Sequence, residues 1–523
     1  MNYPVWQLEL GGGLLIALVA VTHVFVSHFA VGGGLFLVLA ERRAYRTGDA
    51  ALLSWLRRHA KFFALLTLVF GAVSGVGIWF TIGLVHPAAT SSLIHIFVWG
   101  WAIEWVFFFV EIAAAVVYAS TWDRLDRPTH VAVGWIYFGA AFMSLVIING
   151  ILSFMFTPGD WLDPATRSFG HGFFNPTYWP SLVLRTLAAV AFAGLYVLAT
   201  AWREPLRERS KLARYAALWA LPATLAGPLA AVLYLKSAPG ALEVIRGAVP
   251  AAALAFRLVV GCAVAYGLLL AAVALLSRRR PGIVNLPVGA ALLLLGYGSI
   301  GGAELVRESI RKPFVIGNPS GGYLYVNGLT PAEAEATRAS GLLPAARWVK
   351  GRDGAPLTEA ERGAEVFRVA CRGCHTVGGY RAIRRFVDHK PVAAIATMVG
   401  RLDKLRGRMP PFPGTAEEAH DLALWLGGLD GELEPQEPAG APGAKVADGK
   451  ALLQDKCLAC HDLDDPKGSN PLRPKVKGWS AAVAYENLGK LSQLNAGMTG
   501  MDVTDERERK VLAGYLATLA AEK

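Results

Sequence analysis

Residues 11–43 read GGGLLIALVAVTHVFVSHFAVGGGLFLVLAERR. Up to residue 40 this run is apolar, and it exceeds the roughly 20 residues a helix needs to cross a bilayer. Two histidines, His23 and His28, fall inside it. Ionisable groups at membrane depth are costly and mark function by default. A membrane histidine also serves as a plain interhelical hydrogen-bonding group, so the stretch alone leaves both readings open. The residues before it, Met1 to Leu10, hold Glu9 and no Lys or Arg. They lack the basic n-region of a cleavable signal, so the run is expected to remain as a membrane helix.

Seven further runs of spanning length follow, at about 62–85, 92–119, 131–156, 180–202, 213–236, 251–277 and 283–306. A chain of 523 residues with 54% hydrophobic residues fits eight spans plus further domains. The loops set orientation. Loop one holds Arg42, Arg43, Arg46, Arg57, Arg58 and Lys61; loop five holds Arg203, Arg207, Arg209, Lys211 and Arg214. Loops three and seven are basic too, whereas the alternate loops hold only Arg167, Lys236 and Arg246. The odd loops are therefore expected in the cytoplasm and both termini outside. This placement, rather than nucleic-acid binding, accounts for most of the net charge of +11.

The C-terminal part carries C-x-x-C-H twice, as Cys371, Cys374 and His375 and as Cys457, Cys460 and His461. That pentapeptide attaches haem through both thiols, with the histidine as iron ligand. Four of the five cysteines are used in this way, which leaves too few for a zinc site. Two covalent haem c groups are predicted, on the outer face where such attachment occurs. A downstream methionine is the usual sixth ligand. Met409 and Met498 each lie six residues before a threonine expected to cap the last helix of its unit, Thr415 and Thr504. Met398, Met501 and His389 are the competing donors. The expected organisation is a membrane domain over 1–312, a juxtamembrane linker over 313–355, cytochrome c domains over 356–430 and 446–523, and a Pro/Gly/Glu-rich linker over 431–445. The fold class is mainly α: a polytopic bundle followed by two small all-α domains.

Inside the spans, Glu104 and Glu111 share a face of the third, Arg185 lies in the fifth, Arg257 in the seventh, and Glu304, Arg307, Glu308 and Arg311 end the eighth. At 1.5 Å per residue, His23 and Glu104 both lie roughly 18 Å below the outer ends of their helices. Glu111 lies roughly 10 Å further toward the cytoplasm. Haem ligands in the outer half, with a carboxylate pair leading up from the cytoplasm, would use these positions.

These residues resemble subunit I of the cytochrome bd-type oxygen reductases, over about residues 5–315. Ile16 to Arg42, with His23 and Gly32, is similar to that family's first helix, whose histidine ligates the oxygen-reactive haem. Residues 102–104, 107–111 and 122–125 resemble its third helix and the following loop, and Ser144 and Asn149 match its fourth. The resemblance implies that Glu104 and Glu111 serve the proton path, although their spacing is one residue shorter than the family's. Residues 303–313, AELVRESIRKP, are similar to the signature near the five-coordinate haem b. By that match Glu304 is the iron ligand, and Arg307, with Arg311 beside it, contacts the haem.

The departures are as informative. The family's low-spin haem b uses a histidine in span five and a methionine in span seven, where this chain has Arg185 and Val259. Neither can ligate iron, so that haem is expected to be absent. The long quinol-binding loop is replaced by a connection of about 15 residues from Lys236 to Pro250. The resemblance therefore implies a cytochrome c-fused branch that has exchanged quinol for a soluble periplasmic donor such as a cytochrome c. Electrons would pass through the two haem c groups to about two non-covalent membrane haems, of b and/or d type, that reduce O2 to water. A second bd-type membrane subunit is the expected partner, and the bacterial cytoplasmic membrane the expected location. A membrane electron conduit, or a reductase of another small molecule such as nitric oxide, are the alternative readings.

Overall fold

The computed structural model describes residues 3, 6, 8–248, 250–311, 314–317, 322–351, 356–388, 390, 392–405, 409–430, 448–458, 461, 463, 471–494 and 502–521. The chain divides into two compact units, Gly13–Leu324 and a second made of Met1–Gly12 with Tyr325–Lys523.

Eight helices of the first unit are long and apolar enough to cross a membrane: α1 Gly12–Thr47, α2 Ala50–Val85, α3 Val98–Ser120, α4 Arg127–Phe154, α5 Tyr178–Ala201, α6 Leu206–Lys236, α7 Ala252–Leu276 and α8 Leu286–Arg311. The protein is thus a multi-pass membrane protein. The first two helices run further than hydropathy predicts. Arg42, Arg43 and Arg46 lie on α1 and Arg57, Arg58 and Lys61 on α2, not in a loop. Arg and Lys are good helix formers, so charge alone does not end a helix. The stop comes at Gly48, whose φ of +64° suits glycine, and Asp49 restarts the chain by accepting from the Leu52 N–H. Within α2, Leu65–Gly71 winds as a π-helix.

The three glycines of the opening stretch explain how α1 packs. A Cβ on Gly32 would stand 1.9 Å from the Ala189 carbonyl oxygen of α5. One on Gly34 would meet the Tyr137 ring of α4 at 2.4 Å, and one on Gly33 the Phe63 ring of α2 at 2.7 Å. Small residues let membrane helices approach closely. Here they bring α5, α2 and α4 onto one level of α1.

The second unit holds two hydrophobic cores. In the first, α9 (Pro331–Ser340), α10 (Glu359–Ala370), α11 (Val392–Val399) and α12 (Ala416–Gly427) enclose Leu329, Ala334, Leu342, Val366, Phe367, Ile395 and Leu422. In the other, α13 (Gly449–Lys456), α14 (Ala481–Leu488) and α15 (Glu506–Ala521) enclose Leu453, Val476, Leu488, Leu512 and Leu516. Both cores repeat one crossing. A Cβ on Gly363 of α10 would lie 2.0 Å from the Asp421 carbonyl oxygen of α12. One on Gly449 of α13 would lie 2.4 Å from Tyr515 Cβ of α15. Each of these glycines stands eight residues before the first cysteine of its C-x-x-C-H motif. Thr415 caps α12 in a full capping box with Glu418, as its position predicts. The other final helix begins one residue later than expected: Asp505, not Thr504, accepts from the Arg507 and Glu508 N–H groups. A carboxylate capping two N–H groups outcompetes the neighbouring hydroxyl. The linker over Gly431 to Ala444 lies outside the described residues.

Candidate functional site

Helices α3 and α4 are antiparallel neighbours, and three polar rungs join them. Ser144 Oγ donates to Glu104 Oε1 at 2.9 Å. Tyr137 Oη donates to Glu111 Oε1 at 3.2 Å. His130 Nε2 donates to the Tyr118 carbonyl oxygen at 3.0 Å. Positions 104, 111 and 118 descend α3 in steps of seven while 144, 137 and 130 match them on α4. Seven residues fall roughly 20° short of two turns, so every rung stays on the shared face and the steps are roughly 10 Å.

The lowest rung is a closed cluster. The Tyr118 hydroxyl donates to Glu41 Oε2 at 2.7 Å, and Glu41 Oε1 lies 2.7 Å from His130 Nδ1. Glu41 is fully buried and His130 nearly so. A carbonyl only accepts, so Nε2 of His130 carries a proton, and the Nδ1–Glu41 bond shares one more. Between the lower two rungs, Tyr118, Tyr137, Gly34 and Gly134 help to line a cavity of about 10 Å³. That is the threshold for a single water molecule. Sequence reading found Glu104, Glu111 and Ser144 but missed Glu41, Tyr118, His130 and Tyr137. The recurring spacing of seven was the available signal.

His23 faces α2. Its Nδ1 lies 3.2 Å from the Gly71 carbonyl oxygen and 3.1 Å from Ser74 Oγ. The carbonyl accepts from Nδ1–H, which leaves Nε2 as the lone-pair nitrogen. Gly75 keeps this side of the ring clear, since a Cβ there would stand 3.1 Å from His23 Cε1.

Glu304 lies among cations. Arg185 Nη2 donates to its Oε1 at 3.1 Å and Arg307 Nε to its Oε2 at 2.9 Å. A carboxylate has about four lone-pair sites, so each oxygen keeps one for another partner. Arg311 turns aside, bonded to Glu308 Oε2 at 2.5 Å and to the Val315 carbonyl oxygen at 3.1 Å. Val259 of α7 packs on Gly302, two residues before Glu304. Arg185 Nε, Arg307 Nη1 and His28 Nε2 are buried with no hydrogen-bond partner among the described residues. Buried orphans of this kind are rare and call for an occupant. Two guanidinium N–H donors fit carboxylate acceptors such as haem propionates, so this compartment suits a haem.

In the second unit the described residues of the two motifs share one backbone hydrogen bond. The His375 N–H donates to the Cys371 carbonyl oxygen at 2.9 Å, and the His461 N–H to that of Cys457 at 3.0 Å. Burial pushes the Cys371 thiol up to about 12, with Cys374 adding to it. A thiol held protonated is no redox nucleophile. His375 Nδ1 lies 3.2 Å from the Arg381 carbonyl oxygen, which fixes the ring as donor on that side. Arg381 supplies that carbonyl from a φ of +57°, a conformation rare outside glycine. Met409 is half-buried in the bend leading to α12. Cys460, Met498, Met501 and His389 lie outside the described residues.

Fold and site together define a class, that of polytopic helical membrane proteins with buried polar groups suited to haem, followed by small helical units that each carry C-x-x-C-H. Residues 14–238 match the family described as Cytochrome bd terminal oxidase subunit I, and residues 358–426 the family Cytochrome C oxidase, cbb3-type, subunit III. Among solved structures, the bd oxidase from Geobacillus thermodenitrificans is similar at a TM-score of 0.50 and 17% identity, over 58% of this chain and 87% of that one. That likeness concerns the fold. No curated protein matches. The two families indicate a membrane-bound respiratory oxidoreductase that uses haem.

Proposed function

We propose that the protein is a terminal oxidase that accepts electrons from a soluble periplasmic carrier such as a cytochrome c and reduces O2 to water. His375 with Met409, and His461 with Met498, would hold two haem c groups attached through Cys371, Cys374, Cys457 and Cys460. His23 and Glu304 would ligate about two non-covalent haems, of b and/or d type, with Arg307 on the Glu304 side holding a propionate. The family's low-spin haem b would be absent, because Arg185 and Val259 offer iron no donor. Bound haem supplies one-electron redox chemistry and, where a coordination position stays open, a site for O2.

The ladder from Glu41 to Glu104 is the observation that carries this reading. An electron conduit needs no proton supply, whereas each O2 takes four electrons and four protons to give two waters. The basic helix ends support a cytoplasmic position for the Glu41–His130–Tyr118 cluster. Glu111, then Glu104, would take protons onward across steps of roughly 10 Å, with the cavity beside Tyr137 admitting a bridging water. Protons drawn from inside and electrons from outside would charge the membrane without pumping. A second bd-type subunit would cover the exposed apolar flanks.

The test is O2 consumption by the purified protein with reduced cytochrome c, together with a carbon monoxide difference spectrum. Turnover with a carbon monoxide shift supports the proposal. A spectrum that carbon monoxide leaves unchanged means no open iron and leaves the conduit. Consumption of nitric oxide but not O2 moves the same site to the other substrate.

A further inference from the structure

His28 is 3% exposed, and its Nδ1 lies 2.7 Å from the Val24 carbonyl oxygen one turn back on α1. The carbonyl can only accept, so Nδ1 carries the proton and Nε2 the lone pair. That lone pair is buried and unpartnered among the described residues. The ring stands edge-on to Phe192 of α5, with centroids 6.2 Å apart, and Arg185 and Glu304 are near enough to act on it electrostatically. His28 therefore faces the compartment that also holds the unpartnered Arg185 Nε and Arg307 Nη1.

A buried imidazole without an Nε2 partner is left at a desolvation cost. Water or a protein donor would relieve that cost, but so would a metal. Nδ1–H on a backbone carbonyl with Nε2 presented is how a protein prepares histidine for iron. His23 shows the same preparation on another side of α1. Five residues turn a helix by about 140° and advance it roughly 7.5 Å, so the two rings serve different compartments. Three unpaired groups then have one explanation: an iron for the imidazole and carboxylates for the two guanidinium groups.

We infer that His28 Nε2 is an iron ligand of the membrane haem in the compartment of Arg185, Glu304 and Arg307, and that Arg185 Nε and Arg307 Nη1 hold its propionates. The inference rests on the proposed function only in requiring non-covalent haem in the membrane unit. Arg185, which abolishes one haem site of the resembling family, gains a role here as an anion holder. Helix α1 then supplies a ligand to each of two membrane haems.

Purified full-length protein and its His28→Met and His28→Ala variants provide the test. Haem is counted and typed by pyridine haemochrome, and each non-covalent haem is titrated optically. Retained covalent haem and a monodisperse profile check folding. In His28→Met a thioether replaces the imidazole, so the midpoint of one non-covalent haem rises and its spectrum changes. In His28→Ala that haem is lost, and added imidazole restores it. A His28→Met protein with unaltered haem spectra and midpoints overturns the inference while leaving the proposed function standing. Absence of non-covalent haem from the unaltered protein overturns both. Should neither variant fold, electron–nuclear double resonance on unaltered protein labelled with ¹⁵N-histidine decides. Histidine coupling at both membrane haems supports the inference, and coupling at one alone refutes it.

Discussion

Ser144 on α4 donates its hydroxyl hydrogen to Glu104 on α3 at 2.9 Å, as the uppermost of three polar pairs along that interface. Removing it with Ser144→Ala deletes one hydrogen bond, worth about 1 kcal/mol. O2 turnover should fall about fivefold if proton delivery limits the rate. Glu104→Gln and Glu111→Gln remove the titrating groups themselves and should lower turnover at least tenfold. Haem content, measured on the same preparations, should not change. Normal turnover in Glu111→Gln would remove that carboxylate from the route.

His130→Ala takes the imidazole from the Glu41 carboxyl, which has no exposure and keeps the Tyr118 hydroxyl, and leaves the Tyr118 carbonyl without its donor. Breaking a buried pair from one side costs about 3–5 kcal/mol. Thermal unfolding in detergent should shift down by several degrees. Adding Glu41→Gln should return part of the loss, because the two residues act as a pair.

Gly363→Ala and Gly449→Ala place a methyl group against Asp421 and Tyr515, respectively. Overpacking of this kind costs about 1–3 kcal/mol. Each should lower the covalent haem recovered in its own unit and spare the other, read by mass spectrometry of the haem-bearing peptides. Equal losses in both units would mean that the cores do not fold independently.

Glu365 gives the first c-type unit an acid limit. Burial works to raise its carboxyl, but the Arg368 guanidinium, at 2.6 Å, and the Lys350 N–H hold it below the usual range. A carboxyl depressed in the folded state stabilises above its unfolded pKa of about 4.3 and loses that contribution as pH falls through the lower, folded value. Pepsin cleavage around residues 346–370 should therefore increase as pH drops below about 4. Glu365→Gln should be cut readily throughout the acid range, with little dependence on pH.

The eight spans were legible because a bilayer imposes a length on apolar helices, and the C-x-x-C-H motifs because their chemistry is local. Helix ends were not: Arg57, Arg58 and Lys61 continue α2, since the stop is made by Gly48 and Asp49 rather than by charge. Glu104 and Glu111 could be read as costly membrane carboxylates. Tyr118 and Tyr137 could not, because tyrosine is ordinary in a membrane helix until its hydroxyl is seen to bond a carboxylate. The Arg185–Glu304 pair spans 119 residues of sequence, and no local pattern announces it. His28 was visible as a residue, but its unpaired Nε2 is a property of packing.

The common step of seven on α3 and α4 means that the three pairs share one reading frame. A single residue inserted between Glu104 and Tyr118 turns the remainder of the helix by about 100° and carries every partner beyond it away together. Such a change cannot be repaired one contact at a time. An added residue leaves all three pairs in register only where it falls in the connection over residues 121–126, outside both helices.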